Sequence, residues 1–116
     1  MDERAQYRVF VEGAITVGDH PEFRVVARVG GRERVTQHRY TSFTELHSRL
    51  DAGSRFPVRK LWRHSDAALR ERAAALERYL QESLRTGDAA RLSVVDAFLG
   101  GLQAEHQAMT EEQPES

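Results

Sequence analysis

From Glu22 to Tyr40 the chain alternates apolar and polar residues, stops at Gly30-Gly31, and alternates again. A period of two belongs to a strand with one buried face, and a glycine pair between two such runs supplies the backbone angles of a tight hairpin. Phe23, Val25, Ala27 and Val29 fall on one side of the first run. A two-residue loop places Arg28 opposite Glu33 and Val26 opposite Val35, whereas a longer loop shifts that register. Upstream, YRVFVEGAITV (Tyr7 to Val17) is another strand, with Tyr7, Val9 and Val11 on one face. Gly13 within it marks a bulge or bend. GDHP (Gly18 to Pro21) has the composition of a turn.

After Tyr40 the period changes from two to 3.6. Phe43, Leu46 and Leu50 recur at helical spacing, and Ser42 with Glu45 forms an S-x-x-E capping pattern. A loop containing one proline follows, DAGSRFPVRKLWRH. Ser65 or Asp66 then caps a longer helix running to about Arg85, with Leu69, Ala73, Leu76, Leu80 and Leu84 as its apolar stripe. TGD breaks it, and AARLSVVDAFL forms a short closing helix with Leu92, Val95, Phe98 and Leu99 as core. Three strands followed by helices make an α+β fold, a three-stranded antiparallel sheet packed against a helical subdomain. The expected organisation is an N-terminal extension (1–6), one domain (7–99), and a polar, acidic tail (100–116). That tail is expected to be a frayed helix or a disordered linker.

A length of 116 residues suits one domain. A net charge of −1 gives no global attraction to nucleic acid or membrane, so any anion-binding role must come from local clustering. With no Cys there is no disulfide, thiol nucleophile or zinc–thiolate site, and with no Asn there is no N-glycosylation. The charged N-terminus has no apolar run behind it, so the expectation is a cytoplasmic protein without a signal peptide. The five His residues lack metal-ligand spacing, and neither a G-x-S-x-G elbow nor a phosphate-binding glycine loop occurs. The reading is therefore no enzyme, no metal and no cofactor. A nucleic-acid binder is disfavoured too, because Glu71, Glu77 and Glu82 interrupt the Arg-rich helix.

Three groups of basic residues stand out. Arg72 lies three residues after Leu69 and four before Leu76, beside the apolar stripe of its own helix, where an arginine either snorkels or faces something. Arg55 to Arg72 holds six Arg/Lys against two Asp/Glu, a local +4 around Leu61 and Trp62. Such a loop is either solvated with a buried Trp or a membrane-touching loop, since Trp favours the headgroup region and basic residues favour anionic lipid. Arg39 and Tyr40 meet at the strand–helix junction, as an exposed strand end or as a phosphate fork with a flat ring beside it.

Taken in order, the strand–hairpin–strand unit, His38-Arg39-Tyr40-Thr41-Ser42-Phe43, Pro57-Val58-Arg59, RERAAALERYL and the Phe98-Leu99 close resemble a PX (phox-homology) domain of the small sorting-nexin type. The resemblance covers roughly Tyr7 to Leu99. It implies a pocket between sheet and helices that binds a membrane phosphoinositide, most often phosphatidylinositol 3-phosphate, on early endosomal membranes. It further implies that Arg39 holds the 3-phosphate and that Tyr40 forms a wall under the inositol ring. Arg59 would meet the 1-phosphate and Arg72 the 4- and 5-hydroxyls, with Lys60 and Thr41 as additional contacts. Leu61 and Trp62 fall in the loop that enters the bilayer. The chain departs from the family pattern at His38, a weaker base than usual there, at Ser42 in place of an acid, at Arg59 in place of lysine, and in its short proline loop. The alternative is a PX-like adaptor that docks a protein partner, through the tail or a parent protein, with weak or no lipid binding.

Overall fold

The structure is a computed structural model, and it describes residues 7–50 and 66–112. Strands β1 (Arg8–Val17), β2 (His20–Val29) and β3 (Arg32–Arg39) form one antiparallel sheet in the order β1-β2-β3. Gly30 and Gly31 both have positive φ, 53° and 83°, as a two-residue hairpin requires. Arg28 accordingly pairs with Glu33 and Val26 with Val35. In β1 the register slips between Val11 and Gly13, with Gly13 at φ 145°. The bulge returns Ala14 to the core face opposite Phe23 and turns Ile15 to the outer face opposite Glu22.

Helix α1 (Tyr40–Leu50) starts directly from the end of β3, and Phe43, Leu46 and Leu50 are buried beneath it. Because the helix opens at Tyr40, Ser42 lies inside the first turn, so the expected Ser42–Glu45 capping pattern does not mark its start. Helix α2 (Asp66–Thr86) buries Ala73, Leu76, Tyr79, Leu80 and Leu84, with Leu69 packed at the margin. It also closes the free edge of β1. Glu77 Oε1 accepts from the Val11 amide at 2.8 Å, and the Gln81 side-chain amide donates to the Val9 carbonyl at 3.2 Å. Helix α3 (Ala89–Phe98) is capped by Asp88, whose carboxylate accepts from the Arg91 amide at 2.9 Å.

The chain beyond Gly100 differs from the expected frayed or disordered tail. Residues Leu102–Glu112 form α4, and Leu102 is buried in the common core. Gly100 and Gly101, both at positive φ, make the turn into it. A Cβ on Gly100 would come within 2.5 Å of Arg34 Cδ, so the arginine stem lies flat on the glycine. Arg34 also donates to the Gly100 carbonyl and to Glu105, and Arg32 pairs with Glu105 at 3.5 Å. The buried Asp96 carboxylate accepts the Tyr7 hydroxyl and the amides of Gln103 (2.8 Å) and Ala104 (3.0 Å). The α3 carboxylate thereby caps α4 and ties it to the start of the domain. The helices cover the inner face of the sheet, and its outer face carries Arg8, Glu12, Arg24, Arg28, Glu33 and Arg39.

Candidate functional site at the strand–helix junction

β3 ends at Arg39 and α1 begins at the next residue, Tyr40, so strand and helix meet without a linker. Tyr40, the first residue of α1, is half-buried and packs on the core. The Arg72 guanidinium, two turns into α2, lies over its ring at 5.2 Å from the centroid. That is a cation–π contact, favourable for a cation above an aromatic face. Arg72 therefore faces the junction rather than running along the core edge. Arg39 is the exposed last residue of β3, and Thr41 is exposed in the first turn of α1, its carbonyl accepting from the Thr44 hydroxyl at 2.7 Å. Among the described residues neither Arg39 nor Arg72 has a carboxylate within ion-pair distance, whereas Arg24, Arg28, Arg32 and Arg34 are paired. Arg72 at the ring and Arg39 next to Tyr40 in the chain therefore keep their donors free of carboxylates among the described residues.

Tyr40 and Arg72, thirty-two positions apart in sequence, are thus in contact, with Arg39 next to Tyr40 in the chain. Arg59, Lys60, Leu61 and Trp62 lie outside the described residues. His38, which stands where the family pattern has its first basic residue, turns inward. Its ring stacks on Phe98 with centroids 3.9 Å apart, meets Phe43 edge-on, and Nε2 lies 2.9 Å from the Phe98 carbonyl. Burial holds its pKa below the ordinary imidazole value, against the opposing pull of the Phe98 carbonyl and the Glu22 charge. His38 consequently joins β3 to α3 and is a poor cation for an anion site. A cleft of about 230 Å³ between α1 and α3, lined by His38, Ser42, Leu46, Arg49 and Phe98 among others, opens on that other side of α1. Further along α1, His47 Nδ1 and the Tyr79 hydroxyl are 2.8 Å apart, and burial pushes the Tyr79 phenol up to about 12.

Two features of the junction are absent from the sequence reading. Glu22 sits directly across the β2–β3 ladder from Arg39. Ile15 and Val17, at 47% and 44% exposure, lie at the tip of the β1–β2 hairpin, which continues past the end of β3 on the side where Arg39 lies. The hairpin register was the available signal for the first, since a two-residue Gly30-Gly31 loop pairs position 22 with position 39. The second depends on the Gly13 bulge, which reverses the facing of everything after it.

The family model for the PX domain matches residues 28–101, a span holding Arg39, Tyr40 and Arg72. The chain belongs to the PX domain family. Among solved structures, the X-ray structure of a designed CISK-PX domain matches this PX domain with a TM-score of 0.70 at 22% identity, covering 80% of this chain and 98% of that one. A search of curated proteins gives no match. The α+β architecture, a three-stranded antiparallel sheet plus four helices, is thus a PX fold, and the family's model ends before α4. PX domains are in general non-catalytic, phosphoinositide-binding modules that target membranes peripherally. No helix among the described residues is long and apolar enough to cross a membrane. Among those residues no cluster of His, Asp and Glu could hold a metal ion.

Proposed function

We propose that this PX domain binds phosphatidylinositol 3-phosphate and, as in sorting nexins, recruits its parent protein from the cytoplasm to early endosomal membranes. The observation that carries this reading is the Arg72 guanidinium over the Tyr40 ring, immediately beside Arg39. A doubly phosphorylated inositol headgroup needs cations from separate directions and a flat surface to lie on. Arginine supplies bidentate, charge-assisted bonds of roughly 1.5–3 kcal/mol each. In this reading Arg39 takes the 3-phosphate, Tyr40 forms the wall under the ring, and Arg72 bonds the 4- and 5-hydroxyls. Arg59 takes the 1-phosphate, with Lys60 and Thr41 as additional contacts. Leu61 and Trp62 enter the bilayer, and the exposed Ile15 and Val17 at the hairpin tip add a second apolar contact.

The test is liposome co-sedimentation with each phosphoinositide at low and physiological salt, wild type against Arg39→Ala. Saturable binding to the 3-phosphate species, lost in a variant that still folds, is the expected result. Binding that tracks only total negative charge and disappears with salt would mean a basic patch without a headgroup site. No binding to any phosphoinositide would put the protein-docking adaptor in its place.

A further inference from the structure

On the outer face of the sheet, β2 and β3 set two acid–arginine pairs directly opposite each other, Arg28↔Glu33 and Glu22↔Arg39. They are six residues apart on β2, so they share a face and a pair type. The first pair closes, with Arg28 Nε 2.7 Å from Glu33 Oε1. Arg24 closes as well, on Glu12 at 2.9 Å across the bulge. The second does not: among the described residues Glu22 and Arg39 each lack an ion-pair partner within 4.0 Å. The difference lies in position. Arg39 is the last strand residue, and its backbone turns into α1 at the next one. Glu22 is half-buried and held in the central strand, so its charge cannot withdraw.

We propose that Glu22 is a specificity-determining residue of the junction, a fixed negative charge beside Arg39 that restricts the site to headgroups with a single ring phosphate. The inference rests on the phosphoinositide reading above. A phosphate on Arg39 satisfies the arginine while paying a repulsion to Glu22, and each further ring phosphate adds to that repulsion without gaining Arg39. The field of Glu22 at this corner is felt at the adjacent His38 ring as well. A unit charge roughly 8 Å away near a protein surface, screened over about one Debye length at physiological salt, changes binding on the order of fourfold for each phosphate charge it meets.

The experiment compares wild type with Glu22→Gln, which keeps the side chain's size and removes its charge. The control is Glu33→Gln on the same face. The probes are phosphatidylcholine vesicles carrying phosphatidylinositol 3-phosphate or the 3,5-bisphosphate, at physiological salt. Glu22→Gln is expected to tighten binding of the monophosphate, whose ester carries about 1.5–2 charges, about tenfold and of the bisphosphate several times more, collapsing the selectivity between them, while Glu33→Gln leaves their ratio unchanged. If wild type binds the monophosphate and Glu22→Gln binds both lipids as before or more weakly, the charge-filter role is wrong and the phosphoinositide reading stands. A gain seen only in Glu22→Gln, with wild type inert to both lipids, overturns the filter, because the native site would then admit no headgroup. Absence of binding in both overturns the phosphoinositide reading and this inference together.

Discussion

Replacing Asp96 with alanine tests the structural joint between the PX fold and its C-terminal helix. Asp96 is 5% exposed, and its carboxylate accepts three hydrogen bonds: the Tyr7 hydroxyl and the Gln103 amide on Oδ1, the Ala104 amide on Oδ2. Losing the cap of α4 costs about 1 kcal/mol. Losing a charge-assisted bond to a half-buried phenol adds about 2 kcal/mol. The sum, about 3 kcal/mol, is a large share of the stability of a domain this size and lowers Tm by roughly 12 °C. Thermal and urea denaturation followed by circular dichroism measures it, with hydrogen exchange of the α4 amides as the local readout. Tyr7→Phe alone should cost about 2 kcal/mol, the same bond, and close to nothing in the Asp96→Ala background, because its partner is already gone. The same pair has an alkaline signature. Burial, then the bond to Asp96 and its charge, raise the Tyr7 phenol above its ordinary value. Its contribution is therefore complete below about pH 10 and lost as pH rises beyond that. Tyr7→Phe should remove this loss. An Asp96→Ala variant within 1 kcal/mol of wild type, or additive with Tyr7→Phe, would refute the reasoning and make α4 an incidental appendage.

Two further outcomes are expected. Arg72→Ala should cost less than about 1 kcal/mol of stability, the size of a half-exposed cation–π contact, yet reduce headgroup affinity tenfold or more in the liposome assay; a large fall in Tm with unchanged lipid binding would make Arg72 a structural residue. His38 is held below its ordinary pKa by burial, so the unfolded chain binds that proton more readily than the folded one. Stability should be full above about pH 6.5 and fall as pH drops from there, and urea titrations at pH 5 and 7 should show that slope flattened in His38→Gln.

The sequence determined the three strands of this protein's sheet and their order, because a period of two, two turn signals and a glycine pair leave little choice among elements. Gly30-Gly31 allowed a two-residue loop without excluding a longer one, and the structure adopts the two-residue loop, setting Arg28 opposite Glu33 and Val26 opposite Val35. The same register contains Glu22 opposite Arg39, legible in principle, though an unclosed pair cannot be told from a closed one without side-chain positions. The stripe of α2 was equally plain, since Ala73, Leu76, Leu80 and Leu84 must share a face at 3.6 residues per turn. What only the tertiary structure decided are the contacts between distant segments. Asp96 reads as a surface residue of a short helix until α4 folds back and presents its amides. A polar tail with one leucine reads as linker until Leu102 finds the core and Glu105 finds Arg32 and Arg34. His38 reads as a weak member of a basic run until Phe98 stacks on it. The contact of Arg72 with Tyr40 belongs to the same class. Periodicity places each residue on its own element, but only the packing of α2 beside the end of β3 brings the guanidinium over the ring.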